Sequence, residues 1–290
     1  MNRILIVVFA AFLSLTALTT SCDKVDEPYM NTGGGGHVGD TVRKVLLEDY
    51  TGHLCVNCPA AHKVIEGLQL VYPKRIVPVV IHTGFFARPI AAPYDYDFRT
   101  ADGDAIATEF GAITAPLPKG VVNRINKGGY LINPAAYATA VSLVLDSLPE
   151  MPDIFIEIDP SFNSNDSTIS VDVKMTSLVN MPDGKYNLSV VVVESEIIEA
   201  QKNTTPEINN GKDILDYNHK DVLRGAINTS WGEEFANAAL SPNQTFTKSY
   251  SNYKIGSDWN PDNLKIVAFV YYADGPNDKV VIQVDEVHLK

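Results

Sequence analysis

The period of the apolar residues changes once along this chain, at Pro149 and Pro152. Before that point short apolar runs alternate with stretches of helical spacing. Beyond it the period is two, the mark of strands with one face buried. A chain patterned this way is expected to hold an α/β region, residues 41–150, followed by an all-β region, residues 151–290, with the boundary between Leu148 and Ile154.

In the first region Val45-Leu46-Leu47 opens a strand that ends near Tyr50, and Pro59 to Val71 reads as a helix with Ala61, Ile65 and Leu68 on one face. Arg75 to His82 is nearly continuous in apolar residues, as in a strand buried on both faces. An irregular, aromatic-rich segment spans Gly84 to Phe98. A short helix follows over Asp102 to Phe110, then a strand over Gly120 to Ile125. Lys127-Gly128-Gly129 turns the chain into a fourth strand, Tyr130-Leu131-Ile132. Asn133 and Pro134 then open a helix reaching Leu148. In the second region Ile154 to Ile158, the run containing Ile169, Val171, Val173 and Met175, Tyr186 to Glu194, Thr245 to Tyr253, Leu264 to Tyr272 and Lys279 to Val287 give six strands. Their spacing suggests a two-sheet sandwich of immunoglobulin-like type. The segment from Ile197 to Asn243 fits no period and is expected to cover the sandwich or the interface between the regions.

Ahead of both regions, Arg3 precedes an apolar run from Ile4 to Leu18, too short for an ordinary membrane span, so residues 1–21 read as a cleaved signal. Thr19-Thr20-Ser21-Cys22 resembles a bacterial lipobox, with Thr19 where Leu is usual. The resemblance implies cleavage before Cys22, lipid on that residue and a membrane tether; the alternative is an ordinary signal with an incidental cysteine. Residues 22–40, with four consecutive glycines, read as a flexible linker. Of three cysteines, lipid would consume Cys22 and leave one close pair in an oxidising compartment. A net charge of −12 argues against a nucleic-acid partner. No cofactor is expected.

Chemistry concentrates in Thr51-Gly52-His53-Leu54-Cys55-Val56-Asn57-Cys58-Pro59, at the end of a strand and the start of a helix. A thiol at a helix N-terminus is favoured as thiolate by free N–H groups, and a second thiol one turn on can resolve a mixed disulfide. In this context the region from 43 to 148, in the order β-α-β-α-β-β-α, resembles the thioredoxin-like superfamily. The resemblance implies that Asp49 carries a proton for Cys58 and that Pro118, before the third strand and preceded by a cis bond, faces the cysteines. Leu54 and Val56-Asn57 depart from the common thioredoxin residues, so no redox potential carries over.

A wider resemblance covers the chain beyond Cys22. Tyr50-Thr51-Gly52 with the cysteine pair, Pro118-Lys119-Gly120-Val121-Val122-Asn123-Arg124, and Asn218-His219-Lys220-Asp221-Val222-Leu223-Arg224 are similar to the twenty-eight-kilodalton outer membrane protein (Omp) family of bacterial lipoproteins. That implies a lipid-anchored place at the outer membrane, on its periplasmic or surface face, and leaves the reaction open. Two functions from different classes stand: thiol–disulfide exchange on the thiols or disulfides of exported proteins, with Cys55, Cys58, Asp49 and Pro118 as its residues, or non-enzymatic binding of a protein or glycan, with Cys55–Cys58 a structural disulfide. His53 and His62 flank the cysteines and give a minor zinc or copper reading. Solvated histidines are the simpler alternative. His219 and Arg224 are expected to pair or cap locally. Phe85, Phe86, Tyr94, Tyr96 and Phe98 would form a packed loop or line a peptide groove. Mass spectrometry of the mature N-terminus is expected to give a diacyl- or triacyl-modified Cys22; an unmodified terminus at another residue would rule the anchor out.

Overall fold

A computed structural model describes residues 41–290. The signal, Cys22 and the linker lie outside the described residues. Strand β1 (Val45–Thr51) runs parallel to β2 (Ile76–His82) and antiparallel to β3 (Lys119–Val122). Both β1 and β2 are buried along their whole length, which is why they read as unbroken apolar runs. Successive side chains serve opposite faces. Val45 and Leu47 pack with Ile76 and Val122 against helices α1 (Cys58–Val71) and α4 (Tyr137–Leu145). Leu46 and Tyr50 turn the other way, toward Ile106 and Phe110 on and just beyond α3 (Ala101–Glu109). A one-turn helix, α2 (Gly84–Ala87), interrupts the aromatic segment.

The period-two region supplies β4 (Ile154–Asn163), β5 (Thr168–Ser177), β6 (Lys185–Glu194), β11 (Thr245–Lys254), β12 (Leu264–Tyr272) and β13 (Val281–His288). These match the six expected strands closely. The segment that fitted no period holds four more: β7 (Ile197–Gln201), β8 (Ile214–His219), β9 (Val222–Ala226) and β10 (Glu233–Asn237). Of these β9 has the largest consequence. It pairs antiparallel with β6 and parallel with β2, where Val80 N–H donates to the Asp221 carbonyl at 2.8 Å. One sheet of order β13-β12-β6-β9-β2-β1-β3 results, with β10 added at β6.

This corrects the expectation of an α/β unit beside a closed immunoglobulin-like sandwich. Sheet β11-β5-β4 does pack face to face on part of the long sheet, through Ile156, Val171, Val173 and Met175 against Val190, Val192, Ile266 and Ala268. The long sheet, however, continues through β9 into β2-β1-β3. The opposite faces of β6 and β12, through Val191, Val193, Val267 and Phe269, join the core that holds Leu46 and Ile106. The chain passes from helices to strands between Leu145 and Ile154, and all the described residues fall in one compact unit. Two smaller expectations also fail. Tyr130–Ile132 makes a single bridge, Gly120 to Ile132, and no strand. Asn133 does not cap the last helix: its Oδ1 accepts from Lys119 Nζ at 2.6 Å, Pro134–Ala136 form a 3₁₀ turn, and α4 ends at Leu145.

Buried charges tie the regions together. Arg124 is fully buried, with Nη2 2.6 Å and Nε 3.0 Å from the Glu48 carboxylate. Its guanidinium lies 4.8 Å from the Phe269 ring and within 5.6 Å of Phe110, Trp231 and Tyr271. Lys44 Nζ meets Asp285 at 2.5 Å, and Arg43 meets Asp153 at 3.1 Å. A fragment of residues 40–150 is therefore expected to lack a cooperative thermal transition, since the core on the α3 face loses Val191, Val193, Val267 and Phe269 and β2 loses its neighbour β9. In the whole chain Glu48→Gln, which leaves a buried guanidinium without its counter-charge, is expected to lower stability by about 3–5 kcal/mol in urea titration.

Candidate functional site

Strand β1 ends at Thr51, and the chain turns through Gly52 to Asn57 before Cys58 starts α1 with Pro59 in its first turn. Gly52 is required by contact: a Cβ there would lie 2.4 Å from the Phe86 carbonyl, in the turn of α2 whose oxygen accepts from Leu54 N–H. Cys55 and Cys58 form a disulfide with 5.5 Å between Cα atoms, and their residues are 2 % and 0 % exposed. Leu117–Pro118 is cis, as the thioredoxin resemblance implies. Lys119 pairs with Tyr50, which sets Pro118 at the end of β1 from which the cysteine loop departs.

Asp49 is fully buried on β1. Tyr137 on α4 donates to its Oδ1 at 2.9 Å. The approach is direct because Gly120 stands opposite Asp49 on β3: a Cβ at Gly120 would lie 2.6 Å from the Tyr137 ring. Burial first, and the Asp49 charge second, raise the Tyr137 pKa far above a free phenol, so it stays a donor. The other carboxylate oxygen is buried without a hydrogen-bond partner; His62 Nε2, one turn into α1, lies 3.3 Å from it and bonds to Thr51 Oγ1 at 3.3 Å. His62 Nδ1 is 2.7 Å from the Tyr217 hydroxyl on β8, and the ring lines a solvent-open cleft with Glu66, Gln69 and Lys220. One imidazole thus stands between the buried acid and the cleft. The sequence marked Asp49, the cysteines and Pro118. Tyr137 and Tyr217 carry no local signal, because they come from 88 and 155 residues away in the chain.

His62 lies against Asp49 and Tyr217. The sulfurs bond to each other, and His53 Nε2 lies 3.0 Å from the Arg88 carbonyl. Among the described residues no three His, Cys, Asp or Glu side chains gather with metal-holding geometry. Arg224 pairs with Glu194 at 3.2 Å and Asp258 at 2.8 Å and donates to the Tyr96 hydroxyl. Of the aromatic segment, Phe98 is buried against the rings of His53, His82 and His219, and Tyr94 donates to Asp213. The second half of the segment packs through Tyr94 and Phe98, while Phe85 stays exposed under the Arg88 guanidinium.

A second layer lies on the cysteine loop. Strands β7 and β8 form a two-stranded sheet of their own, outside the long one. Lys202 N–H donates to the His53 carbonyl at 2.8 Å and Thr204 N–H to the Val56 carbonyl at 3.1 Å. The fully buried Gln201 side chain donates to the carbonyls of Cys55 at 3.0 Å and Gly52 at 3.3 Å. Asn203, also buried, closes the following turn by donating to the Ile208 and Lys212 carbonyls. Leu54, Phe86, Tyr94 and Ala200 add an apolar contact between the layers.

Burial lowers His219 to about 3 and His82 well below its ordinary value, with neighbouring histidine charges adding to the effect; burial also lowers His53. His82 and His219 are held neutral in the fold and titrate near 6.5 when unfolded. The stability that they contribute is complete above pH 6.5 and is lost as pH falls toward each folded pKa, about 3 for His219. In urea titrations the stability is expected to fall by about 1.4 kcal/mol per pH unit for each of these two histidines just below pH 6, and His219→Phe to flatten the slope by one proton.

The profile of outer membrane protein Omp28 matches residues 103–290. No curated protein matches the chain. HBP35 of Porphyromonas gingivalis is similar in fold, at 17% identity and a TM-score of 0.58 over 87% of this chain and 76% of that one. A protein of Agrobacterium tumefaciens is similar over 87% of this chain and 97% of its own, with 8% identity and a TM-score of 0.51. A domain of the outer membrane lipoprotein Omp28 from Porphyromonas gingivalis aligns over 49% of this chain and 92% of its own at 25% identity, with a TM-score of 0.29. No helix among the described residues is long and apolar enough to cross a membrane. Matched over well more than half its length, the chain belongs to the Omp28 family of outer membrane proteins and is associated with that membrane.

Proposed function

We propose that this protein is a thiol–disulfide exchange protein, tethered to the outer membrane by lipid on Cys22 and acting on exported proteins. The α/β part is read as thioredoxin-like: β1 lies between β2 and β3, helices α1 and α4 cover one face and α3 the other, and the cysteine pair sits where β1 passes into α1. The observation that carries the proposal is the environment of Asp49. A fully buried carboxylate on the strand that leads into a helix-start disulfide, with a tyrosine fixing one oxygen and a cleft-lining histidine 3.3 Å from the other, has the parts needed to move a proton.

The exchange balances as follows. In the reduced protein the Cys55 thiolate, favoured by the first turn of α1, attacks a substrate disulfide and forms a mixed disulfide, and one substrate thiolate leaves and takes up a proton. Cys58 gives its proton to Asp49, attacks the Cys55 sulfur and expels the second substrate thiolate, which takes up a proton from solvent. The protein then holds the Cys55–Cys58 bond, and the substrate disulfide has become two thiols. His62 passes the proton from Asp49 to the cleft. The reverse sequence oxidises a dithiol. Pro118 stands at the end of β1 as the residue bordering the substrate.

The second reading, a binding protein in which Cys55–Cys58 is a structural brace, is favoured by one observation: both cysteines are buried, in a loop whose carbonyls are bonded by residues 201–204. Reactivity separates the two. Exchange activity predicts a Cys55 pKa below about 8.5 by pH-dependent alkylation, mixed disulfides with exported proteins trapped by Cys58→Ser, and at least tenfold slower turnover of Asp49→Asn with the fold retained. Two sluggish thiols, a potential below about −300 mV and no trapped partner would leave the brace.

A further inference from the structure

The cover on the cysteine loop is built as a peptide would be. Lys202 and Thr204, alternate residues of an extended segment, aim their N–H groups at the carbonyls of His53 and Val56. Just before them Gln201 uses a side-chain amide to reach the carbonyls of Gly52 and Cys55. Four carbonyls of one short turn, two on each side of Leu54, thus accept from a segment about 150 residues away in the chain. Those of Gly52 and Cys55 also accept within the loop, from Cys55 and Cys58, so only the His53 and Val56 carbonyls depend on main-chain donors of that segment. Main-chain carbonyls aligned in this way form an edge that accepts an extended backbone regardless of its sequence. The covering segment belongs to no large sheet. It hangs from the separate β7–β8 hairpin, held by the Tyr217–His62 contact, the Lys220–Glu66 ion pair, the Tyr94–Asp213 hydrogen bond, the packing of His219 at the end of β8 on Phe98 and His82, and the small cluster around Leu54. Lifting residues 201–204 breaks none of the ladder bonds of the long sheet. With the segment in place Cys55 is 2 % exposed and Cys58 0 %, which leaves no line of attack for a disulfide carried on a protein.

We infer that the carbonyl edge from Gly52 to Val56 is a docking edge for an extended peptide, and that residues 201–204 of this chain occupy it at rest. The partner it fits is a cysteine-bearing segment of an incompletely folded exported protein, held through its main chain. That partner replaces Lys202 and Thr204 as donor and swings the hairpin aside, and so exposes the cysteine pair to the substrate that lifted it. The inference deepens the exchange reading and rests on it for the identity of the partner.

The test uses the full-length protein and two probes. After reduction, Cys55 is alkylated with iodoacetamide and, separately, with a bulky polyethylene-glycol maleimide. The wild type is expected to take the bulky reagent at least tenfold more slowly, relative to free cysteine, than the small one. Lys202→Pro removes the N–H that meets His53, and should close most of that gap. Gln201→Ala, a milder change that guards against misfolding of the proline variant, should close about a third of it on a logarithmic scale. The second probe is a ten-residue extended peptide with serine at its central position, unable to react. It should bind Lys202→Pro at least fivefold more tightly than the wild type, and speed hydrogen exchange at the Lys202 and Thr204 amides of the wild type. Equal access of both reagents in the wild type, or a gap and peptide affinity unmoved by both variants, overturns the inference. If the gap and the peptide binding behave as expected while Cys58→Ser traps nothing, the docking edge stands and the exchange reading falls.

Discussion

A guanidinium with no solvent exposure sets the terms for the whole molecule. Arg124 persists in the core because Glu48 meets it with two oxygens and four aromatic rings surround it. The backbone there is held in an uncommon form, with φ of 46° at Asn123 and 52° at Arg124. Asn123 offsets that cost by exchanging bonds with Leu46 and accepting from Val281. One dipeptide thus fixes β1, β3 and β13 relative to one another. It also fixes the chemistry, since Glu48 and Asp49 are successive residues of a strand and so face opposite ways. Glu48 neutralises Arg124 on one face; Asp49 meets Tyr137 and His62 on the other. A slip of β1 by one residue would exchange the two carboxylates and destroy both sites.

The cysteine site inherits its rigidity below and its cover above from different parts of the chain. Below it, Gly120 lets the Tyr137 hydroxyl reach Asp49, and Gly52 lets the α2 turn press on the loop. Above it, Gln201 and its neighbours are held by hydrogen bonds that a competing amide can replace. The contrast between an immovable floor and a detachable cover gives the disulfide two states of access without any change in the sheet that supports it.

Much of this was legible in the sequence, and the failures share a cause. The strands around Ile76, Ile169 and Leu264 and the first helix announced themselves through period and length, and the cysteine motif through its strand–helix context. What stayed hidden depends on partners far along the chain. Strand β9 is five residues long, and nothing local says that it lies between β6 and β2. Without that fact the change of period at residue 150 suggests two closed units. Asn203-Thr204-Thr205 matches a glycosylation acceptor by pattern, but Asn203 is a buried turn-former beside the cysteine loop. Gln201 and Tyr217 sit in the same unpatterned segment. Asn133 has every local attribute of a helix cap and serves Lys119 instead.

The position of β9 also governs how the chain must assemble. Strand β2 is made early and is flanked on one side only until residue 222 has arrived, some 140 residues later. Through that interval its apolar free edge is open to neighbouring chains. Closing the sheet means bringing together segments of high sequence separation, the slowest class of folding step. Assembly is therefore a race between intramolecular closure and intermolecular pairing, and its outcome turns on how soon β9 reaches β2.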